Sequence, residues 1–281
     1  MNEQDFIITN AGIKMPKILY GTAWKKEKTT DLVVKAVEAG FRGIDTACQP
    51  KHYAQERVGD ALKILNKKGI RRDSLFIQTK FTPLAGQDPN NIPYDKNAPL
   101  LVQVAQSFAR SQSDLQTQYV DSLVLHSPLF PMSHLLEVYN AMQNLHDKGL
   151  AMQLGISNCY DLSVLKRLYE ESRVKPSVLQ NRFYSESGYD KEIRRWCKSK
   201  GIIYQSFWSL TANPHLLESP TIVQLALKYK KTEAQILFKY LNSQEIVPLT
   251  GTASQTHMME DLNALAIEMS PEEYDQIGKL L

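Results

Sequence analysis

Residues 40–59 read GFRGIDTACQPKHYAQERVG, and they divide into a break, a short strand, a loop and a helix start. Gly40-Phe41-Arg42-Gly43 closes a helical stripe made by Leu32, Val33, Ala36, Val37 and Ala39. Ile44-Asp45-Thr46-Ala47 then reads as a buried strand ending in a carboxylate. Pro50, His52 and Tyr53 fall in a loop, and Glu56, Val58 and Gly59 lead into the next helical pattern. An acid at a strand end and a phenol just before a helix are half of an acid–base site. Whether they meet depends on what the other strands deliver.

Upstream, residues 6–14 predict a β-hairpin turning at Asn10-Ala11-Gly12, and residues 18–22 a first strand. Thr29-Thr30-Asp31 offers the first helix start. Downstream, helix is expected over about residues 54–66, 99–115, 133–148, 162–171, 191–200, 219–230, 232–243 and 257–265. Strands are expected at 74–80, 120–125, 151–156, 178–180, 202–207 and 246–249, with one long Pro- and Asn-rich loop at 82–98. A last helix opens at Ser270-Pro271-Glu272-Glu273. Eight strands alternating with helix in 281 residues predict an α/β fold, a (β/α)8 TIM barrel with an N-terminal β-hairpin and a short C-terminal tail. No linker-like run interrupts the chain, so residues 1–281 read as a single domain. A doubly wound sheet would bring a Gly-x-Gly-x-x-Gly turn after a strand, and none is present.

Composition excludes several classes. A net charge of +3 and basic spots such as Lys67-Lys68 without interleaved aromatics argue against nucleic acid; solvated helix ends explain them. Cys48, Cys159 and Cys197 lie far apart, without metal spacing or an even count. The polar start MNEQDF is no signal peptide, and no apolar run approaches the ~18 residues of a membrane span, so a cytoplasmic protein is expected.

In a barrel of this kind the chemistry sits where the strands end. Those ends carry Asp45, Lys80, His126-Ser127, Ser157-Asn158, Gln180-Asn181 and Phe207-Trp208-Ser209. Each has a bland alternative: Asp45 as a turn residue, Lys80 as a surface lysine, His126 as a satisfied core histidine, Trp24 and Trp208 as packing. Together with Tyr53 they make chemical sense. A phenol titrating near 10 is a poor acid at neutral pH; a neighbouring ammonium lowers that value, and a carboxylate keeps the ammonium charged. A histidine beside it orients a carbonyl oxygen. Nothing in the set supplies a hydride, so a cofactor must.

On GIKMPKILYGTAW (residues 12–24), GFRGIDTA, FIQTK, DSLVLHSP, GISN and VPLTGT…HMMED, the chain resembles the aldo-keto reductase family over nearly its whole length. The QPKHY loop and YQSFW strand mark a less common branch. The resemblance implies NAD(P)H-dependent reduction of aldehydes and ketones, Tyr53 as general acid, Asp45 and Lys80 tuning it, and His126 positioning the substrate oxygen. By it, Ser157, Asn158 and Gln180 hold the nicotinamide amide, and Phe207 or its rival Trp208 stacks on the ring. The rest of the nucleotide falls to Gly21, Thr22, Leu210, Leu249, Thr250, Gly251, Thr252, His257, Glu260 and Asp261. Trp24, His52 and Trp208 are expected to line a substrate pocket.

Two departures matter. In the common pattern the tyrosine follows the aspartate by five residues, where this chain has Pro50; the loop is longer and Tyr53 comes later. The lysine and arginine that grip a 2′-phosphate are replaced by Leu249 and His257, which leaves NADPH expected by family habit and NADH open. Few residues follow Pro271, so the long C-terminal loop of steroid-selective members is not expected over the pocket. A small carbonyl substrate and a monomer or weak dimer complete the reading. The rival is a nicotinamide-binding sensor or regulatory subunit with little turnover. A barrel hydrolase or isomerase would want a second strand-end acid beside Asp45.

Overall fold

A computed structural model describes residues 2–281. The hairpin comes first: β1 (Phe6–Ile8) pairs antiparallel with β2 (Lys14–Pro16), Ile7 opposite Met15. Eight parallel strands then close a barrel: β3 (Leu19–Gly21), β4 (Gly43–Asp45), β5 (Phe76–Phe81), β6 (Ser122–Leu125), β7 (Leu154–Ser157), β8 (Val178–Arg182), β9 (Ile203–Phe207) and β10 (Ile246–Thr250), with β10 returning to β3. The expected fold class and hairpin are both present.

Side chains alternate inward and outward along each strand. On β5, Phe76, Gln78 and Lys80 point inward, while Ile77 and Phe81 join the outer layer under the helices. The inward positions therefore change character along the axis. At the bottom Leu19, Phe76, Val124, Val178 and Val247 form an apolar plug with Met15 of the hairpin. Above it comes a tier of amides and an acid, and above that the cations at the strand ends. Burial of the plug stabilises the closed end, and polar groups collect only where the barrel opens.

The outer layer comprises α1 (Thr29–Ala39), α2 (Gln55–Lys67), α3 (Leu100–Leu115), α4 (Met132–Asp147), α5 (Leu162–Glu171), α6 (Lys191–Ser199), α7 (Pro214–Leu217), α8 (Pro220–Tyr229), α9 (Glu233–Ser243), α10 (Gln255–Asn263) and α11 (Pro271–Gly278). Several bounds differ from expectation for local reasons. Ser254 caps the N-terminus of α10 through His257 N, so that helix starts at Gln255 rather than 257. Strand β8 runs past Gln180 to Arg182 because β9 continues beside it to Phe207. Strand β6 begins only at Ser122; Val120 makes an isolated bridge to Ala151. The one-turn helix α7, with Pro214 at its start, and the 3-10 turn Leu84–Gly86 inside the long loop were not expected. Among the described residues no helix is long and apolar enough to cross a membrane.

Candidate active site

Asp45 ends β4 and Lys80 lies near the end of β5, both inward and both buried. Lys80 Nζ donates to Asp45 Oδ2 at 2.5 Å and to the Thr46 carbonyl at 3.0 Å. Two buried charges pay for desolvation only when the remaining lone pairs are filled. Here Gln78 Nε2 and Gln180 Nε2 donate to Asp45 Oδ1 at 2.8 and 3.1 Å. Gln205 joins them, exchanging amide hydrogen bonds with Gln78 and accepting from Gln180. Burial works against the Lys80 ammonium, but Asp45 and the Tyr53 oxygen outweigh it, and the group is held above its ordinary range.

The long loop delivers Tyr53 by continuing the strand and then turning. Thr46 N donates to Gln78 O and Cys48 N to Lys80 O, so the β4–β5 pairing outlasts Asp45. His52 N and Tyr53 N then both donate to Gln49 O at 3.0 Å, a tight turn that takes up the extra residues. The phenol ring ends with Lys80 Nζ 5.1 Å from its centroid and the His126 ring 6.0 Å away, edge-on. The structure thus brings together all four residues expected to carry the chemistry.

The balance on the phenol differs from expectation. Burial pushes Tyr53 up, Lys80 pulls it down and Asp45 pushes it up again; the net direction is upward. The ammonium moderates the phenol's pKa without bringing it below the ordinary value. His126 is driven well below its usual range, by burial first and then by Lys80 and His52, so its imidazole is neutral at neutral pH. Its Nδ1 lies 2.7 Å from Thr82 Oγ1, and its carbonyl accepts from Asn158 Nδ2 at 2.8 Å.

Asp45, Tyr53 and His126 open into a cavity of about 960 Å³, the size of a nucleotide and small-substrate site, with Lys80 buried behind them. Trp24, His52 and Trp208 line it, with the Trp24 and His52 rings 4.0 Å apart. Three of its residues, Trp24, Asn158 and Trp208, hold φ between +53° and +63°. Non-glycine residues, bulky ones above all, adopt that region only where surroundings impose it.

Of the expected nucleotide contacts, Gly21, Ser157, Asn158, Gln180, Phe207, Leu210, Leu249, Gly251, Thr252, His257 and Glu260 line the cavity. Thr22 does not: it is fully buried, and its hydroxyl donates to the Asp45 carbonyl at 2.9 Å, tying β3 to β4. Thr250 and Asp261 reach the wall but spend their polar atoms on each other, Thr250 Oγ1 donating to Asp261 Oδ2 at 2.7 Å. Burial pushes that carboxyl up to about 6. Ser157 Oγ is likewise committed to the Gln180 carbonyl, at 2.7 Å. Phe207 keeps the inward register of Ile203 and Gln205, while Trp208 turns onto the Arg182 guanidinium.

Two cations of the cavity went unrecognised in the sequence. Lys25 belongs to the run Lys25-Lys26-Glu27-Lys28, which in sequence has the look of a solvated helix end, yet its Nζ hydrogen-bonds the Gly251 carbonyl, and burial lowers its pKa. Arg182 follows Gln180 by two residues, and that spacing alone puts it on the same inward face.

A (β/α)8 barrel with a buried lysine–aspartate pair beneath a tyrosine has the parts for acid–base chemistry, and comparison with known proteins gives its family. The profile of the aldo/keto reductase family matches residues 12–281, and the chain belongs to that family. It is 30% identical to the NAD/NADP-dependent indole-3-acetaldehyde reductase of Schizosaccharomyces pombe, over 98% of this chain and 94% of that one. With the glyoxal reductase of Bacillus subtilis it shares 26% identity, over 99% and 93%. Identity is also 26% with the NAD(P)H-dependent D-xylose reductase of Pachysolen tannophilus, over 96% and 92%. The crystal structure of an aldo/keto reductase from Brucella melitensis superposes with a TM-score of 0.82 at 25% identity, over 98% and 99% of the two chains.

Proposed function

We propose that the protein reduces aldehyde and ketone carbonyls to alcohols with a reduced nicotinamide nucleotide, and that Tyr53 gives the proton. The observation that carries this reading is the Tyr53, Lys80, Asp45 and His126 cluster at the mouth of one barrel, with the ion pair buried under the phenol. Membership of the family supports it, and so do its relatives, among them an NAD(P)H-dependent D-xylose reductase and an NAD/NADP-dependent indole-3-acetaldehyde reductase. No observation favours a sensor with little turnover.

A bound NADPH, or NADH, supplies the hydride. Tyr53, raised by burial, keeps its proton through neutral pH and delivers it to the oxygen of the reduced carbonyl. Lys80 stabilises the tyrosinate left behind, and Asp45 holds Lys80 charged and in place. Thr82 Oγ1 lies against Nδ1 of the neutral His126 ring, and the tautomer this mechanism uses is the one with the proton on Nε2, Thr82 then donating to Nδ1 and Nε2–H facing the carbonyl oxygen.

The cavity residues fit a nucleotide. Phe207 offers a ring platform at the end of β9, and Gln180 an amide oxygen beside it. Thr250-Gly251-Thr252 precedes the capped N-terminus of α10, where backbone N–H groups favour an anion. Leu249 and His257 leave that end without the usual cations, and Lys25 reaches it from the loop after β3. Lys25 therefore takes the phosphate role in our reading, and NADPH is the preferred nucleotide. The proposal includes a cytoplasmic monomer or weak dimer.

The test is cofactor oxidation with a panel of aldehydes, diketones and quinones, together with fluorescence titration by NADPH and NADH. Lys25→Met should weaken NADPH binding roughly tenfold, with the loss shrinking at high salt. No oxidation of either cofactor by any member of the panel would sink the reading.

A further inference from the structure

Arg182 is a cation without a counter-charge. Strand β8 sends Val178, Gln180 and Arg182 inward at two-residue spacing: the first into the apolar plug, the second onto Asp45, the third into the cavity. The guanidinium carbon lies 4.3 Å from the centroid of the Trp208 ring and 5.2 Å from that of Tyr184. Among the described residues its side chain donates no hydrogen bond and no carboxylate comes within ion-pair distance; Nε is fully buried with no partner. Stacking on aromatic rings satisfies the faces of a guanidinium and leaves its in-plane N–H groups to be filled. Arg182 is half-buried, and a donor as buried as its Nε is costly to leave unpaired. Trp208 is held on it by a backbone at φ +58°, a strained conformation for a bulky residue.

We propose that Arg182 receives an anionic group carried by the carbonyl substrate, so that the site selects aldehydes and ketones bearing a carboxylate or phosphate. This rests on the carbonyl-reductase reading above. The substrate, rather than the cofactor, supplies the anion because of the order of the strands. Arg182 is paired with Phe207 of β9 on one side, whereas the Gly251 backbone and Lys25 lie at β10 on the other. Were the nucleotide held by Phe207, Gln180 and the β10 end, the last residue of β8 would be left facing the substrate. His126, just past the end of β6 and two strands away, lines the same cavity and would hold the carbonyl oxygen there.

The experiment compares 4-carboxybenzaldehyde with methyl 4-formylbenzoate, near-matched in shape and different in charge. The wild-type protein should favour the acid, mainly through KM. Arg182→Gln should lower the acid-to-ester ratio of kcat/KM roughly tenfold or more, as expected for loss of a charge-assisted bidentate contact, and Arg182→Lys should restore part of it. An unchanged ratio in both variants overturns the proposal. So does an NADPH affinity that falls as far as the acid's, which would assign Arg182 to the cofactor phosphates. Benzoate titration by tryptophan fluorescence on the NADPH-loaded protein separates this claim from the reductase reading. Saturable quenching lost in Arg182→Gln upholds the anion site even if no aldehyde is turned over. Benzoate binding indifferent to the substitution overturns it.

Discussion

Lys80 is pulled two ways, by burial that disfavours its charge and by Asp45 and Tyr53 that favour it, and the partners win. The catalytic consequence has a sign. Reduction uses the protonated phenol, which persists below a raised pKa, so the reduction rate should be flat from about pH 6 to 9 and fall only above about 10. Alcohol oxidation uses the tyrosinate and should climb over the same high range. Lys80→Met removes the one group that pulls the phenol down; reduction should drop on the order of 10²-fold or more, and the oxidation limb should move to higher pH. Steady-state pH profiles in both directions check this, and superimposable profiles would refute it. Asp261 titrates in the opposite sense to an ion-paired carboxylate. Burial raises it from an ordinary value of 3.8 to about 6, so the folded state binds its proton more tightly than the unfolded state. Stability from this group is full below about 4 and is lost as pH rises through about 6. Asp261→Asn should therefore gain on the wild type as pH rises from about 3 to 7, by something on the order of 3 kcal/mol, read from urea midpoints. A difference that does not change with pH would contradict the assignment. Asp45, Lys80 and His126 were legible in the sequence because each ends an apolar strand. Thr22 was misread for the reverse reason: a hydroxyl next to a strand end can bond the neighbouring backbone as readily as a ligand, and only packing decides which.

At the scale of elements, the site depends on how closely neighbouring βα units approach. A Cβ on Gly59 of α2 would collide with the Asp114 carbonyl of α3, so the glycine sets the distance between those helices. Gly59→Ala should destabilise the protein by roughly 1–3 kcal/mol, since neither backbone can yield without shifting its helix. Thermal or urea unfolding measures this, and an unchanged midpoint would show that the crossing tolerates a methyl. The same α2 begins two residues after Tyr53, so a shifted helix would also be felt at the phenol. The turn centred on Gln49 could not be derived from the extra loop residues alone. It forms because Cys48 remains paired to β5, a long-range contact that no local pattern encodes. Arg182 and Lys25 were unreadable for a related reason. Whether a lysine or arginine is solvated or faces a cavity depends on strand length and closure, and β8 proved two residues longer than its apolar run.

For the whole molecule, barrel closure turns residues scattered from Asp45 to Asp261 into one cavity graded from an apolar floor to a charged mouth. The floor, including Met15 of the hairpin, lies away from the chemistry, so folding stability and reactivity reside at opposite ends of the same strands. Alternation of strand and helix made that architecture readable from the sequence, whereas the assignment of polar groups to ligand or to one another needed the closed structure. The central claim is that the displaced tyrosine of the longer loop is the proton donor. It is tested most directly by the aldehyde reduction rate of Tyr53→Phe, with the NADPH Kd measured on the same preparation. The account predicts a fall in kcat on the order of 10²–10⁴-fold with little change in nucleotide affinity. A variant that reduces aldehydes at the wild-type rate would contradict it.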